Sequence, residues 1–472
     1  MRKHFKLVVL FVIASMLLAA CGDQPAATPV PGTATTAPAA ETATTAPEAG
    51  VTATNPQEPA VDNTATTAPA ADDTATTAPE TEATPTVAIG KPSEEGVLTL
   101  WVQRLAVPAV TAAGQQFTEK YNIPVSVQEL EFGQIRDQLK TAGPAGEGPD
   151  IIAGAHDWLG ELVTNGLVEP LDLTAVQSNF DPVTVQAFTY EGKVYGLPYA
   201  LEAIALLYNK DLVPEAPKTW EELKTIAKQL QDEGKVDQGF VLMQGDPYHS
   251  YPLWTGFGGY VFKQNPDGTY DPSDVGLDNP GGIKAMTEID QMIKNGLLRP
   301  DITGQIGETL FATGKSAMTV GGPWRLADLR KAGINYGIAP LPMMDEQPAP
   351  FVGSQGFMVS AFGKNKDIAK AFLTEFMAAD EPMRAMYEAD PRIPAWLPVQ
   401  KEVAASTDPS DVDIAAFAQS ATLGRPMPAI PQMSAVWEDW TKAINLVFQQ
   451  QEEPAKAITD AANTIRGKLT TP

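Results

Sequence analysis

Residues 97–130 read VLTLWVQRLAVPAVTAAGQQFTEKYNIPVSVQEL. The fold prediction starts from the strand and helix patterns that alternate within this stretch. Val97–Gln103 alternates apolar and polar side chains and contains Val and Trp, which predicts a strand. Val110–Tyr121 is predicted to be a helix and Ile123–Leu130 a second strand. A strand, a helix and another strand in succession are typical of an α/β domain with a mostly parallel sheet.

The same alternation continues toward residue 165. Phe132–Thr141 is predicted to form a helix, Pro149–Ala153 a short apolar strand, and Asp157–Asn165 a further helix. Ligands of such sheets bind beyond the carboxyl ends of the strands. Gln103 and His156 stand at two of those predicted ends.

The second half of the chain has its own local signals. Thr219–Glu222 has the spacing of a helix capping box. Asn265–Pro280 is rich in Gly and Pro and is predicted to be a loop between helices. A sharp turn at Gly321–Trp324 follows the apolar run Ser316–Val320, and Ser434–Gln450 is predicted to be the last helix.

The composition of the 472 residues excludes several classes of protein. The formal charge of −25 argues against nucleic acid or an anionic membrane as ligand, because phosphate binding requires a basic surface. One cysteine rules out an internal disulfide framework and any cysteine-cluster metal site. The three histidines form no His-x-x-x-His pair, which argues against a zinc hydrolase. We expect no metal ion and no organic cofactor.

The N-terminus has the features of a secretion signal. Basic residues lie within Arg2–Lys6, and Leu7–Leu18 is an apolar stretch shorter than the roughly 20 residues of a membrane span. Residues 1–20 are therefore predicted to be a signal peptide. The small residues before Cys21 resemble a bacterial lipoprotein box, which implies that Cys21 becomes the lipidated first residue. The alternative is ordinary cleavage beside an incidental cysteine.

Residues 21–95 are predicted to be the lipidated cysteine and a disordered tether. Thr-Ala-Thr-Thr-Ala-Pro occurs four times, at residues 33, 42, 64 and 74, and residues 22–86 contain no aromatic side chain. Such a segment cannot bury enough apolar surface to offset the loss of backbone entropy on folding. It is either a Thr/Pro-rich, O-glycosylated tether or a spacer whose sequence hardly matters.

Aromatic rings and carboxyl groups occur side by side at several places in the folded part. Asp157-Trp158, Asp246-Pro-Tyr248 and Trp437-Glu438 pair an acid with a ring, and Trp324 follows a glycine-rich turn. Flat rings bury the apolar face of a sugar, while carboxylates bind its hydroxyls. The pattern indicates a carbohydrate site.

Each of these residues also has a purely structural interpretation. Trp324 would then be a loop plug, Trp437 a core residue, Asp157 a helix N-cap and Asp246 a turn residue. A glycosidase requires two carboxyl groups that flank one bond, and no local pair of acids indicates that role. Neither a Gly-x-Ser-x-Gly elbow nor a Walker loop occurs. We therefore predict a protein that is not an enzyme.

Residues 96–472 resemble the maltose/maltodextrin-binding proteins of bacterial ABC importers nearly end to end. The resemblance rests on strings spread along the chain: Gly148-Pro-Asp-Ile-Ile, Ala155-His-Asp157, Tyr208-Asn-Lys-Asp-Leu212, Pro217-Lys-Thr-Trp-Glu-Glu222, Asp274-Val-Gly, Gly322-Pro-Trp324, Met427-Pro, and Ile430-Pro-Gln-Met-Ser-Ala435. Together these strings are specific, although each one alone is short.

The resemblance implies an α/β fold of two lobes, the type II periplasmic-binding-protein fold, each lobe a mostly parallel sheet flanked by helices and joined by a hinge. The sugar would lie between the lobes, which close on it. The implied lobes are discontinuous in sequence. The N-terminal lobe with the hinge segments takes residues 96–205 and 353–411, and the C-terminal lobe takes residues 206–352 and 412–472.

The resemblance also implies which side chains contact the sugar. Carboxylates and an amide would bind hydroxyls, rings would stack on sugar faces, and a methionine would line the wall. The implied set is Gln103, Asp137, Asp157, Trp158, Glu202, Asp246, Tyr248, Trp324, Met427 and Trp437. Within this set Trp158 enters through a hypothesis of its own, because the family has a ring where this chain has Gly154. Trp158 would supply the missing ring.

Other departures from the family pattern leave the preferred sugar open. His249 replaces a second aromatic residue after Asp246, and Glu438 replaces one after Trp437. The first interpretation is a lipid-anchored binder of maltooligosaccharides, anchored to the cell membrane and partnered by an importer permease. Its rivals are a binder of cyclodextrin, trehalose or another oligosaccharide, a sugar-sensing receptor, and a secreted glycan hydrolase. We expect a monomer.

Overall fold

The computed structural model describes residues 96–266 and 268–470. The signal peptide, the lipidated Cys21 and the tether lie outside the described residues. Within that part of the chain the strands are β1 (Leu98–Val102), β2 (Val125–Glu129), β3 (Ile151–Ala155), β4 (Val168–Glu169), β5 (Thr189–Tyr190), β6 (Lys193–Val194), β7 (Gly196–Glu202), β8 (Ala205–Asn209), β9 (Gln238–Val241), β10 (Phe262–Gln264), β11 (Tyr270–Val275), β12 (Ser316–Gly321), β13 (Tyr336–Ala339), β14 (Phe351–Ser360), β15 (Ile393–Pro394) and β16 (Arg425–Pro426).

Helices separate most of these strands. The α-helices are α1 (Val107–Tyr121), α2 (Phe132–Ala142), α3 (Leu159–Thr164), α4 (Pro182–Ala187), α5 (Trp220–Asp232), α6 (Pro247–Gly256), α7 (Pro280–Lys294), α8 (Gly304–Ala312), α9 (Leu326–Ala332), α10 (Lys366–Ala371), α11 (Asp380–Ala389), α12 (Leu397–Ala405), α13 (Pro409–Thr422), α14 (Ser434–Phe448) and α15 (Pro454–Thr470). Short 3₁₀ turns are Arg104–Ala106, His156–Trp158, Gln177–Asn179, Pro323–Arg325 and Pro431–Met433, and Phe372–Met377 is a π-helix.

Two sheets organise the described residues. The larger sheet has the strand order β15-β7-β14-β3-β1-β2, with β4 and β16 also paired to β14. The smaller sheet has the order β13-β8-β12-β9. We call the part built on the larger sheet the first lobe and the part built on the smaller sheet the second lobe. The expectation of a two-lobed α/β fold is confirmed.

The expectation that each sheet is mostly parallel is wrong. Strand β1 runs parallel to β2 and β3, and β12 runs parallel to β9. Strand β14, however, is antiparallel to both β3 and β7, and β8 is antiparallel to both β12 and β13. The reason is connectivity. β7 leads directly from one sheet into β8 of the other, and β14 enters the first lobe from the second, so these strands do not follow the strand–helix–strand path that produces parallel neighbours.

The larger sheet has a hydrophobic cluster on each face. Leu98, Leu100 and Val102 of β1 join one cluster with residues of α1, whereas Trp101 joins another with residues of α2 and α3. This division follows from the two-residue period of a strand. The strand that the alternation predicted at Val97–Gln103 is thus confirmed and is buried on both faces.

Three local predictions change in detail. Asn265–Pro280 does not form only a loop, because Tyr270–Val275 pairs with Phe262–Gln264 as an antiparallel hairpin. The helix predicted for Asp157–Asn165 begins as a 3₁₀ turn at His156. Ser434–Phe448 is not the last helix, since α15 follows it and packs on it. The Gly and Pro residues of the hairpin are typical of a loop, which is why its strands were not predicted. The turn over residues 449–453 ends the helical pattern, which is why α15 was not predicted.

The capping box at the start of α5 is partly confirmed. Thr219 Oγ1 accepts a hydrogen bond from the backbone N–H of Glu222. The Glu222 carboxylate accepts from the N–H of Lys218 at 2.8 Å rather than from that of Thr219. The helix start is therefore satisfied at the predicted residue, with the return bond shifted by one position.

Candidate functional site

A cavity of about 560 Å³ lies between the two lobes. This volume is within the roughly 300–1,000 Å³ that is usual for small-molecule sites. Nine of the ten side chains implied by the family resemblance line it: Gln103, Asp157, Trp158, Glu202, Asp246, Tyr248, Trp324, Met427 and Trp437. The fold thus brings together residues that are separated by more than 300 positions in the sequence.

The first lobe places its side chains at strand ends. Gln103 directly follows β1, Asp157 and Trp158 lie in the turn after β3, and Glu202 is the last residue of β7. These positions agree with the expectation that ligands of α/β sheets bind beyond the carboxyl ends of the strands.

The second lobe uses helix starts and a turn. Asp246 precedes α6, and Tyr248 lies in its first turn. Trp324 lies in the 3₁₀ turn after β12, while Trp437 lies in the first turn of α14. Met427 follows β16, and its backbone N–H donates to Val352 O of β14.

Asp137 is the exception among the implied residues. Its side chain is 58% exposed and forms ion pairs of 3.1 Å with Arg136 and 3.2 Å with Lys140. Arg136, one position earlier on α2, lines the cavity instead. Successive helix residues point about 100° apart, and here Arg136 faces the cavity while Asp137 does not line it. Partial burial favours a raised pKa for Asp137, but Arg136 and Lys140 hold this pKa below its usual value.

Trp158 lies against Gly154. A Cβ atom on Gly154 would be 2.3 Å from Cζ3 of the Trp158 indole, a distance that real Cβ atoms do not adopt. The Trp158 ring also packs on Phe132 with 4.7 Å between centroids, and the Arg136 guanidinium lies 5.8 Å from its centroid. The rings of Phe132 and Trp158 therefore form an aromatic surface in the first lobe, next to Gly154.

The second lobe presents a cluster of rings to the cavity. Tyr248 and Trp324 have centroids 6.2 Å apart, and Trp437 stacks on the buried Trp440 at 6.2 Å with an interplanar angle of 11°. Trp437 therefore packs on the core and lines the cavity at once. Trp324 is half-buried and lines the cavity, and its ring lies over Gly322.

The structural alternatives were a turn residue for Asp246 and a helix N-cap for Asp157, and the structure shows neither in that form. Asp246 is a helix N-cap, because its Oδ1 accepts from the backbone N–H of His249 at 3.0 Å. Asp157 is not the N-cap of α3, since Trp158 occupies that position. Burial raises the pKa of Asp157 to about 6, partly opposed by Arg136. Burial favours a raised pKa for Asp246 as well, but His249 holds this pKa below the usual value.

An ion-pair network that no local pattern indicated lies under the cavity. Arg392 pairs with Glu202, and its Nε donates to Asp390 Oδ1 at 2.9 Å. Gln103 Nε2 donates to Asp390 Oδ2 at 3.0 Å, and Gln355 Nε2 donates to Glu202 Oε1 at 3.0 Å. The Arg392 guanidinium also lies 5.2 Å from the ring centroid of Trp324.

This network gives Glu202 and Gln103 protein partners. Arg392 and Gln355 both line the cavity, yet neither stands in a motif that the sequence alone singles out. The opposite charges that flank a proline in Asp390-Pro-Arg392 could have drawn attention to Arg392, whereas no local signal marks Gln355.

His156 links β14 to the chain at Met427 through hydrogen bonds of both ring nitrogens. Its Nδ1 accepts from the backbone N–H of Ser354 at 3.1 Å, and its Nε2 donates to Met427 O at 3.0 Å. Burial lowers the pKa of His156 to about 4, so the ring is neutral at pH 7. A neutral ring with one donor and one acceptor matches the two partners it has.

The described residues contain neither a cluster of metal ligands nor a membrane-spanning helix. No group of three or more His, Cys, Asp or Glu side chains among them is placed to hold a metal ion. None of the helices in this part of the chain combines the length and the apolar character needed to cross a bilayer.

The fold and the cavity define a class of protein. Two α/β lobes with a ligand-sized cleft, lined from both sides by rings, amides and carboxylates, are typical of a binding protein that encloses a small polar solute. A family model described as bacterial extracellular solute-binding protein matches residues 112–416. The chain belongs to this family, and it is a binding protein rather than an enzyme.

Three curated relatives each match about four-fifths of the chain. A galactooligosaccharide-binding protein of Bacillus subtilis is 32% identical over 389 residues, which cover 80% of this chain and 91% of that protein. The maltodextrin-binding protein MdxE of Bacillus subtilis is 32% identical and covers 79% of this chain and 90% of its own length. A maltooligosaccharide ABC transporter solute-binding lipoprotein of Streptococcus pneumoniae is 27% identical over 394 residues, which cover 80% of this chain and 90% of that protein.

Proposed function

We propose that this protein captures an oligosaccharide of the maltodextrin type in the interlobe cleft and delivers it to the permease of an ABC importer. The observation that carries the proposal is the composition of the cavity wall. Rings from both lobes, Trp158, Trp324 and Trp437, share one cavity with Asp157 and a set of amide side chains. This combination suits a ligand with apolar faces and a rim of hydroxyls.

The galactooligosaccharide-binding relative favours a second candidate ligand of the same chemical class. Rings and carboxylates serve either sugar, because both present apolar C–H faces and hydroxyl edges. The two candidates differ in how the linked rings follow the cleft, so direct titration separates them.

The decisive experiment titrates the purified full chain, kept in detergent, with maltose, maltotriose, longer maltodextrins, a galactooligosaccharide, cyclodextrin and trehalose. Heat and tryptophan fluorescence report binding, because Trp158, Trp324 and Trp437 line the cavity. We expect the tightest binding for a maltooligosaccharide. Tighter binding of the galactooligosaccharide would shift the proposal to the second candidate, and no response to any sugar would overturn it.

The proposed lobes are residues 96–205 with 353–411 and residues 206–352 with 412–472. In support, β7 ends at Glu202 in one sheet and β8 begins at Ala205 in the other. We propose that the lobes close on the sugar by rotation about these crossing segments. A fall in the radius of gyration on addition of the bound sugar, measured by small-angle X-ray scattering, tests this. An unchanged radius at saturation would contradict it.

We propose that Cys21 is lipidated and anchors the protein on the outer side of the cell membrane as a monomer. The basic and apolar segments before Cys21 and the lipoprotein name of the streptococcal relative support this. Each buried CH₂ of an acyl chain contributes about 0.8 kcal/mol, so two or three chains retain a protein durably. Cys21→Ser should move the protein from the membrane fraction to the medium, while the neighbouring substitution Gly22→Ser should leave it in the membrane fraction.

The importer role has a rival in a sugar-sensing receptor that uses the same binding module. Deletion of the gene should abolish uptake of the bound labelled sugar while growth on an unrelated sugar continues. Uptake that persists at the parental rate, together with a lost transcriptional response to the sugar, would favour the sensor.

A further inference from the structure

Two side chains in the cleft, an imidazole and an amide, are each held by a carboxylate. His249 Nδ1 lies 2.6 Å from Asp246 Oδ2, and the same aspartate caps the helix that carries the histidine. Gln355 Nε2 donates to Glu202 Oε1 at 3.0 Å. One pair belongs to the second lobe, and the other joins two neighbouring strands of the first lobe.

These carboxylates decide how the imidazole and the amide are oriented. An ionised carboxylate only accepts hydrogen bonds, so Nδ1 of His249 carries a proton, and in the neutral form of the ring the lone pair is on Nε2. Asp246 faces both the Nδ1 atom and the backbone N–H of His249, so its carboxylate fixes the ring at two points. In the same way, Glu202 draws the NH₂ group of Gln355 to itself, and Oε1 of the amide faces away.

The two acceptor atoms that result have no hydrogen-bond partner among the described residues. His249 Nε2 and Gln355 Oε1 are both shielded from solvent, and both residues line the cavity. The hydroxyl of Tyr248, a donor in the same cavity, is also without a partner there. Buried polar atoms without partners are costly, and a ligand that supplies the missing hydrogen bonds recovers that free energy.

A ring alone would not explain the residue at position 249. The imidazole packs beside both Tyr248 and Trp324, with centroid distances of 5.4 Å and 5.9 Å. A phenyl ring would fill this place but would leave Asp246 Oδ2 without its partner. The histidine keeps that partner and in addition presents Nε2, which has no hydrogen-bond partner among the described residues.

We propose that His249 Nε2 and Gln355 Oε1 each accept a hydrogen bond from a hydroxyl of the bound sugar, and that this pair of acceptors determines ligand preference. The inference rests on the proposed function and adds the class of sugar. The ligand is a neutral sugar with free hydroxyls at both contacts. Sugars that lack one of these hydroxyls, or that carry a carboxylate there, are rejected because the acceptors face no donor.

The first test uses two substitutions of His249 in the full chain. His249→Phe keeps a ring and removes Nε2, whereas His249→Gln keeps a side chain that can present an acceptor. For the sugar that the wild type binds best, we expect His249→Phe to weaken binding about tenfold and His249→Gln to weaken it less than about threefold. Equal affinities of wild type and His249→Phe would overturn the role of His249.

The second test uses monodeoxy analogues of that sugar. One analogue should bind the wild type about tenfold more weakly and lose nothing further in His249→Phe, because the hydroxyl and its acceptor form one interaction. A second analogue should show the same relation to Gln355→Leu. Losses that simply multiply in every combination would overturn the proposal, even when a variant has lower thermal stability.

The outcomes separate this inference from the proposed function. Titration of the wild type with the undeoxygenated sugars decides the proposed function alone. If the wild type binds a sugar and every deoxy analogue with equal affinity, the acceptor pair is wrong and the proposed function stands. If the wild type binds none of the sugars, both fail.

Discussion

The indole of Trp158 fills the space that a side chain on Gly154 would occupy, since a Cβ atom there would stand 2.3 Å from the ring. Gly154 lies in β3, and Trp158 is the last residue of the 3₁₀ turn that follows this strand. The ring reaches back over the strand and faces the cavity. This geometry agrees with the hypothesis that Trp158 replaces a ring that this chain lacks at position 154.

Trp158→Ala should weaken binding of the best-bound sugar by about tenfold, the scale of a buried aromatic anchor. The loss follows from removal of the apolar surface that faces the sugar. Calorimetric titration measures it. Tyr121→Ala is a matched control, because Tyr121 is an exposed ring that does not line the cavity, and its affinity should be unchanged. An unaltered affinity of Trp158→Ala for every bound oligosaccharide would refute the hypothesis.

Gly154→Ala should lower both thermal stability and sugar affinity, because the added methyl group must displace the Trp158 ring. Gly133→Ala is the control for the effect of an extra methyl group on thermal stability alone, because Gly133 itself lines the cavity. No atom lies within 4 Å of a Cβ at Gly133, and alanine favours the helix by about 1 kcal/mol. We expect Gly133→Ala to melt at or above the wild-type temperature. A Gly154→Ala variant with wild-type melting and affinity would contradict the packing of the indole.

Trp324→Ala should cost more than about 1 kcal/mol of binding free energy. The ring lies over Gly322 and beside Arg392, at the boundary between core and cavity. If Trp324 acts only as a plug, the variant will lose stability and keep its affinity. Titration and thermal unfolding of the same preparation distinguish these results. Trp324→Phe keeps a ring, and its sugar affinity should lie between those of the wild type and Trp324→Ala.

Sugar binding should weaken as the pH falls through about 6, because Asp157 then gains a proton and no longer accepts a hydroxyl hydrogen bond at full strength. Asp157→Asn should bind more weakly at pH 7.5 and lose this part of the pH dependence. Titrations at pH 5 and pH 7.5 provide the comparison. A wild-type affinity that is equal at both pH values would contradict a role for the ionised carboxylate.

The carboxyl group of Asp157 should affect folding stability in the opposite direction: sugar affinity falls as the pH falls, whereas stability rises. Its folded-state pKa lies above its unfolded value, so the folded state binds more protons between about pH 4 and 6 and becomes less stable as the pH rises through this range. A shift of about two pKa units corresponds to about 3 kcal/mol at most. Relative to the wild type, Asp157→Asn should gain stability at pH 7.5 and little at pH 4. An equal change at both pH values would be inconsistent with this assignment.

Arg392→Ala should lower the free energy of unfolding by about 3–5 kcal/mol, because Glu202 would remain as a buried charge without its ionic partner. Arg104→Ala is the comparison. Arg104 pairs with Asp328 at 3.7 Å, and their side chains are 65% and 52% exposed. Loss of such an exposed pair costs about 0–1 kcal/mol. Urea unfolding measures both, and similar small losses would refute a structural role of the buried network.

Local patterns were sufficient for several parts of the fold. The strand at Val97–Gln103, the helix after it and the cap at Thr219 depend on residues within about ten positions, and all three occur in the structure. The direction of the neighbouring strands was not predictable in this way. It depends on where the chain crosses between sheets, as at Glu202–Ala205, and nothing in the period of a strand records that crossing.

The site divides along the same line. The residue types and the family resemblance already identified the rings and Asp157, because their chemistry is a property of the side chains themselves. The partners of Glu202 were a different matter: Gln355 and Arg392 lie 153 and 190 positions away in the chain. The order of the strands in the sheet brings them together, so only the tertiary structure decides that Glu202 is buried with protein partners. It also decides that Asp137, one helix position from the cavity-lining Arg136, is exposed to solvent.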